Sequence, residues 1–122
     1  MAKILIADDE KPLLTALSKK VSSEGFEVIE ASNGNETKDK AFEAKPDLVL
    51  LDIMMPGKHG IDVYKDIRNS DWGKTTLIIF LSNYSSHPEA TKISNKDKNC
   101  EYLVKSSTKI GDVIELIKSK LK

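Results

Sequence analysis

Three carboxylates directly end or follow apolar runs of this sequence. Asp8 and Asp9 come after KILIA, and Asp52 ends the run LVLLD. If these runs are neighbouring parallel strands, their carboxyl ends meet at one edge of the sheet and the carboxylates converge there. Two unit charges about 5 Å apart repel by roughly 3 kcal/mol at an effective dielectric constant of about 20. Such a cluster needs a proton, a bound cation or a lysine to offset its charge.

Two further polar residues occupy the same position on later apolar runs. Ser82 ends the run LIIFLS, and Lys105 follows the run YLV. A set of oxygen ligands with few protein contributors suits Mg²⁺, which keeps several waters and binds phosphate oxygens. A carboxylate beside such a cation can attack phosphorus, while an ammonium and a hydroxyl bind the transferred oxygens. Each residue alone has an ordinary structural role, but together they favour phosphoryl transfer to Asp52.

The apolar runs alternate with segments of helical periodicity. Leu14, Leu17 and Val21 recur at helical spacing, and the last segment keeps one apolar face. Strict alternation of strands and helices predicts an α/β fold, a doubly wound parallel sheet of five strands with helices on both faces. The predicted strands are 3–7, 27–31, 48–52, 77–82 and 102–104.

Length and charge predict one domain over residues 1–122. The chain has 19 Lys and Arg against 19 Asp and Glu, so its formal net charge is zero. This balance gives no support for direct nucleic-acid binding. No apolar run reaches the length of a membrane span. Cys100 is the single cysteine, which cannot form an internal disulfide and fits a cytoplasmic location.

With these residues in place, the sequence resembles response-regulator receiver domains along its whole length. The resemblance lies in the acidic pair Asp8-Asp9, the stretch LLDIMMPGKHG around Asp52, the hydroxyl residue Ser82, and YLVK ending in Lys105. It implies the flavodoxin-like strand order 2-1-3-4-5. It also implies that Asp52 accepts a phosphoryl group from a sensor histidine kinase or a phosphotransfer protein, and that Ser82 and Lys105 take part in the transfer.

The resemblance further implies a set of metal ligands. Mg²⁺ would be bound by Asp9, Asp52 and the backbone carbonyl of Met54, with Asp8 contributing through water. These assignments come from the receiver-domain pattern and not from the spacing of the residues.

Other positions would act after phosphorylation. The resemblance implies a switch in which Ser82 moves toward the phosphoryl group and Tyr102 turns inward. The surface of the fourth helix, fifth strand and fifth helix would then bind an output partner, which the sequence does not identify. Met54 and Tyr84, two residues after Asp52 and Ser82, would tune the lifetime of the phosphorylated state.

The sequence departs from the family pattern at several positions. The residue after Lys105 is usually a proline with a cis peptide bond, and here it is Ser106. We predict that the Lys105–Ser106 peptide is trans, because a non-proline cis bond costs about 3 kcal/mol. The fourth helix is polar, with Ala90 and Ile93 as its apolar anchors, so we predict that it is the least ordered element. The remaining departures are Lys58, Asn99 and Cys100.

Three other functions compete with this interpretation. A flavin-binding electron carrier would need a phosphate-binding loop where this chain has Asp8, Asp9 and Glu10. A phosphatase with a nucleophilic aspartate on the first strand would leave Asp52 without a role. A degenerate receiver would act as an interaction module that does not depend on phosphorylation, and this stays the main alternative.

The two histidines are distant in sequence and lack the spacing of a metal site. We predict that His59 and His87 are ordinary surface-loop residues.

Overall fold

Within the described residues, 1–84 and 87–121, five strands form one parallel sheet of the computed structural model. They run in the spatial order 2-1-3-4-5, which confirms the predicted fold class and the strand order. Their bounds are β1 (Lys3–Ala7), β2 (Glu27–Ala31), β3 (Leu48–Leu51), β4 (Leu77–Ser82) and β5 (Cys100–Val104).

The central strand β3 is buried on both faces. All four of its residues are fully buried, and it lies between β1 and β4. A strand covered by helices on both sides has no solvent-facing positions, which is why its sequence, LVLL, is continuously apolar. The strand is therefore a rigid mount for the residue that follows it.

Five α-helices cover the sheet within the same residues. Two core clusters show that the first and last helices pack on one face and the other three on the opposite face. A 3₁₀ turn, Lys105–Ser107, follows β5. The helices are α1 (Lys11–Ser23), α2 (Gly34–Ala44), α3 (Gly60–Arg68), α4 (Pro88–Lys96) and α5 (Ile110–Lys120).

Local sequence signals begin the first two helices. Pro12 lies in the first turn of α1. Backbone N–H groups in this turn have no intrahelical partner, so a proline, which lacks the N–H, costs the helix no hydrogen bond. Asn33 caps α2, since its Oδ1 accepts a hydrogen bond from the N–H of Glu36 at 2.8 Å. The carboxylate of Glu36 accepts in return from the N–H of Ser32 at 2.6 Å.

Helix α4 buries little but is anchored at its end. Ala90 is its one fully buried residue among those described. Asp97, directly after the helix, accepts hydrogen bonds from the hydroxyl of Tyr64 at 2.5 Å and from Nε of Arg68 at 2.8 Å. Both partners lie on α3, so the two helices are joined at this point.

The fifth strand is longer than its sequence predicted. It begins at Cys100, two residues before the predicted start, because Cys100 and Glu101 pair with Ile78 and Ile79 of β4. The carboxylate of Glu101 forms an ion pair with Lys120 at 2.9 Å, which accommodates a charge within the strand. The sequence prediction relied on runs of apolar residues, so it missed the start of the strand at Cys100 and the charged Glu101.

Candidate functional site

The parallel register brings Asp8 and Asp52 together. Ala7 pairs with Leu51, so the residues after them end adjacent strands at the same level. The N–H of Asp52 donates to the carbonyl of Ala7 at 2.9 Å, which extends the ladder by one residue. Both side chains are buried, with Asp8 2% and Asp52 4% exposed.

Asp9 completes the acidic cluster from the solvent side. Asp8, Asp9 and Asp52 each offer an oxygen, and these oxygens lie within 4.8 Å of one another. Asp9 is exposed, whereas the other two are buried. The convergence expected from the strand ends is therefore present.

Lys105 reaches the cluster from the 3₁₀ turn after β5. Its Nζ lies 2.9 Å from Oδ2 of Asp8 and 3.3 Å from Oδ2 of Asp52. The lysine side chain is 7% exposed, so it is a buried cation rather than a solvated one. The peptide between Lys105 and Ser106 is trans, as predicted, and the lysine still reaches both carboxylates.

The electrostatics of the cluster favour an additional cation. Burial and the negative charge of Asp8 raise the pKa of Asp52 from 3.8 to about 7, although Lys105 opposes the shift. Burial also raises the pKa of Asp8. Burial acts to lower the pKa of Lys105, but its hydrogen bond to Asp8 and the charge of Asp52 raise it overall.

These residues fit Mg²⁺. The donors are carboxylate oxygens, two of them buried at a cost that one lysine does not remove, with a third open to solvent. A hard cation that prefers oxygen ligands and retains water suits this arrangement.

Glycine at position 60 allows the loop after Asp52 to fold back against the site. A Cβ at Gly60 would lie 2.3 Å from the carbonyl oxygen of Asp52 and 2.7 Å from the Cα of Ile53. The N–H of Gly60 donates to the carbonyl of Ile53 at 2.7 Å. Any side chain here would push α3 away from the residues that carry the carboxylate.

Ser82 lies buried at the end of β4 and is joined to Tyr102 through one intervening residue. The Oγ of Ser82 accepts a hydrogen bond from the N–H of Tyr84 at 3.0 Å. The carbonyl of Tyr84 accepts one from the hydroxyl of Tyr102 at 2.8 Å. The two predicted switch residues thus share a short hydrogen-bonded path.

Met54 and Tyr84 lie just beyond the ends of β3 and β4. Each is 48% exposed, which is unusual for large apolar side chains in this protein. The Sδ of Met54 lies 3.2 Å from Nε2 of His59.

The histidines lie in loops, partly exposed, as predicted, and each has a structural role at the start of a helix. His59 and His87 cap helices α3 and α4, because their Nδ1 atoms accept hydrogen bonds from the N–H groups of Ile61 and Ala90. Their ring centroids lie 6.0 Å apart. An Nδ1 that accepts leaves the proton of a neutral imidazole on Nε2, so these rings are donors at that atom and poorly suited to bind a metal.

Two residues at the mouth of the site were absent from the predicted set. Nδ2 of Asn83 donates to Oε1 of Glu10 at 3.2 Å, and Nζ of Lys105 lies 3.5 Å from the same oxygen. The hydrogen bond from Asn83 and the charge of Lys105 lower the pKa of Glu10. Both residues adjoin predicted site residues in sequence, which was the available signal, but their contact depends on the tertiary fold.

Comparisons with known proteins identify the family of this chain. The family model of the response regulator receiver domain matches residues 4–118. A receiver domain protein from Methanospirillum hungatei JF-1 is 26% identical with a TM-score of 0.87, covering 99% of this chain and 94% of that one. The chemotaxis response regulator CheY4 of Vibrio cholerae is 28% identical with a TM-score of 0.85, covering 98% of both chains.

A third similar structure contains a metal complex. The response regulator TrrA from Thermotoga maritima is 36% identical with a TM-score of 0.81 and 100% coverage of both chains, and was solved in complex with Mg²⁺ and BeF. This chain belongs to the response regulator receiver domain family, the phosphoacceptors of two-component signalling systems. Across the described part of the chain, no helix is long and apolar enough to cross a membrane.

Proposed function

We propose that Asp52 accepts a phosphoryl group from a phosphorylated histidine of a sensor histidine kinase or a phosphotransfer protein. The observation that carries this proposal is a buried carboxylate beside Asp8 and 3.3 Å from the ammonium of Lys105, at the open end of the sheet. Burying two carboxylates beside each other is costly, and a purely structural position would gain nothing from it.

In the transfer, a carboxylate oxygen of Asp52 attacks the phosphorus. A new O–P bond forms while the P–N bond of the donor breaks, and the electron pair leaves on the nitrogen, which takes up a proton. The attacking carboxylate must be ionised. Lys105 favours the ionised form, whereas burial and the charge of Asp8 oppose it.

The metal ligands of this proposal are Asp8, Asp9, Asp52 and the main-chain carbonyl of Met54, with Asp8 acting through water. When bound, Mg²⁺ would supply the positive charge that the carboxylates and the transferred oxygens share. The exposed position of Asp9 leaves one side of the set open to solvent and to the donor.

Lys105 and Ser82 would bind the transferred oxygens. The ammonium of Lys105 already lies between two carboxylates and can turn to a third anion without leaving the site. The hydroxyl of Ser82 accepts a hydrogen bond from Tyr84 and keeps its own hydrogen to donate. Both groups act as charge-assisted donors to the phosphoryl group.

Phosphorylation would reach the output surface through Tyr84 and Tyr102. Movement of Ser82 toward the phosphoryl group would break its hydrogen bond with the N–H of Tyr84. The carbonyl of Tyr84 accepts a hydrogen bond from the hydroxyl of Tyr102. A shift of Tyr84 would break this second bond and allow the side chain of Tyr102 to turn inward. The surface formed by α4, β5 and α5 would change as a result, and an output partner would bind it.

The intact mass of the protein after incubation with Mg²⁺ and a small phosphodonor tests the proposal. One phosphoryl adduct is expected on the wild type and none on Asp52→Asn. Asp47→Asn is a suitable control, because Asp47 is an exposed aspartate at the other end of β3.

Absence of an adduct on the folded wild-type protein would contradict the proposal. It would then favour an interaction module that does not depend on phosphorylation. An adduct that forms equally on Asp52→Asn would place the phosphoacceptor elsewhere.

A further inference from the structure

The side chain of Glu10 contacts Asn83 and Lys105 instead of capping its own helix. Glu10 occupies the N-cap position of α1 but makes no side-chain hydrogen bond to that helix. Its Oε1 instead accepts from Asn83 at 3.2 Å and lies 3.5 Å from Nζ of Lys105. A residue that usually serves its own helix is thus held by two other segments.

This contact joins the segments that follow the two strands on either side of β3. Glu10 follows β1 and Asn83 follows β4, and β3 lies between those strands. Adjacent strands are about 4.8 Å apart, so the contact spans about 10 Å of the sheet edge. Glu10 and Asp52 also share the ammonium of Lys105. The Glu10–Asn83 pair therefore lies at the mouth of the phosphorylation site.

The mouth is where the leaving group of a phosphodonor must lie. In an in-line transfer, the leaving group is on the side of the phosphorus opposite the attacking oxygen of Asp52. Because the attacking carboxylate is buried at the strand end, that opposite side faces outward, toward Glu10. An ionised carboxylate at this place attracts a leaving group that carries N–H protons and repels one that carries negative charge.

We infer that Glu10, held by Asn83, is a specificity-determining residue that selects phosphodonors by the charge of their leaving group. It favours donors with a protonated nitrogen and disfavours acyl phosphates, whose leaving group is a carboxylate. This inference rests on the proposed role of Asp52 as the phosphoacceptor.

The two donor classes differ in the charge of the group that leaves. From phosphoramidate, the P–N bond breaks, the electron pair stays on nitrogen, and neutral ammonia leaves with the protons it already carried. From acetyl phosphate, the P–O bond breaks, and acetate leaves as an anion. In both cases the new O–P bond forms on Asp52. The two reactions therefore differ in the leaving group, which departs on the side of Glu10.

Initial rates of phosphorylation with these two donors test the inference, in excess Mg²⁺ at fixed ionic strength. Glu10→Gln is expected to react about threefold faster with acetyl phosphate and about threefold slower with phosphoramidate, the modest size reflecting a side chain in contact with water. The ratio of the two rates should therefore change by about tenfold. Asn83→Ala should change the ratio in the same direction by less, because it frees Glu10 without removing its charge.

Glu27→Gln is the matched control. Glu27 is an exposed carboxylate at the start of β2, the opposite end of the sheet, so this change alters the net charge equally without touching the site. Its donor ratio should equal that of the wild type. Raising the salt concentration should reduce the effect of Glu10→Gln, because screening weakens the interaction of exposed charges.

Equal rate changes with both donors in Glu10→Gln would overturn the inference, since they would mean that Glu10 acts on the structure of the site. An equal shift in Glu27→Gln would also overturn it, because net charge alone would then be responsible. Absence of phosphorylation of the wild type by both donors would instead overturn the proposed function, and the inference with it.

Discussion

Asp52 is a buried carboxylate whose negative charge is only partly stabilised by the groups around it. Burial and Asp8 raise its pKa, while Lys105 at 3.3 Å opposes the shift. In the absence of a divalent cation, the protein therefore carries an unfavourable charge at the point where the proposed chemistry occurs. This cost should be measurable as stability.

Without divalent cations, Asp52→Asn should be more stable than the wild type by about 1 kcal/mol at a pH of about 8. The pKa of Asp52 is raised from 3.8 to about 7 in the folded state. As the pH falls through about 7, folded Asp52 takes up a proton that the unfolded chain does not, so wild-type stability rises and the difference shrinks. Chemical denaturation at several pH values measures this.

The control for this comparison is Asp39→Asn, which removes an exposed carboxylate on α2. It should change stability little at any pH. A wild type that is more stable than Asp52→Asn at high pH, in the absence of divalent cations, would show that Lys105 fully offsets the repulsion.

Met54 and Tyr84 should set the lifetime of the phosphorylated state. Both are large, half-exposed side chains beyond the strand ends, and we expect them to shield the phosphoryl group more than they position a water. We expect slow self-dephosphorylation, and about tenfold faster loss in Met54→Asn combined with Tyr84→Glu, which equals about 1.4 kcal/mol of barrier. Decay of the phosphorylated form after removal of the donor measures it.

Met54→Leu with wild-type Tyr84 is the matched control, because it keeps an apolar side chain of similar size. Its decay should match that of the wild type. If the polar double variant decays no faster, these two side chains do not protect the phosphoryl group.

At the scale of elements, α4 is held by its ends more than by its packing. His87 caps its start, and Asp97 joins its end to Tyr64 and Arg68 of α3. Between them, Ala90 is the fully buried residue. By contrast, α5 buries three apolar residues against the sheet. An element with few buried contacts opens more easily than its neighbours.

Amide hydrogens of α4 should therefore exchange faster than those of α5. Asp97→Asn should accelerate exchange in α4 further, because it weakens the charge-assisted bonds to Arg68 and Tyr64. Exchange in α5 should be unchanged in that variant. Hydrogen exchange followed by mass spectrometry resolves the two helices, and protection of α4 equal to that of α5 would refute the prediction.

At the scale of the whole molecule, cation binding at the strand ends should increase the stability of the entire fold. The site draws on loops after β1, β3 and β5, which are not adjacent along the chain. Unfolding separates these loops and abolishes the cluster. A cation that binds only the folded arrangement then stabilises the entire domain by mass action.

Mg²⁺ should raise the thermal unfolding midpoint, with a gain of about 2.7 kcal/mol when its concentration is about a hundred times its dissociation constant. Asp9→Ala should lose most of this gain, because Asp9 is one of the proposed ligands of the cation and offers an oxygen to the cluster. Thermal unfolding with and without Mg²⁺ measures both. The prediction fails if the midpoint does not rise, or if it rises equally in Asp9→Ala.

Much of the fold and of the site was already determined by sequence. Alternating apolar runs and helical periods predict a parallel sheet, and parallel strands place their carboxyl ends on one edge. Asp8, Asp52 and Lys105 were therefore expected to meet, and they do. This inference succeeds because it needs only the direction of each strand and the position of a residue at its end.

The tertiary structure alone decided which distant side chains touch. Glu10 and Asn83 are 73 residues apart, and the rings of His59 and His87, which are distant in sequence, have their centroids 6.0 Å apart. The anchor of α4 at Asp97 was hidden in the same way. Such contacts depend on how far elements are spaced across the sheet and on which way each side chain points, and neither follows from the periodicity of a single segment.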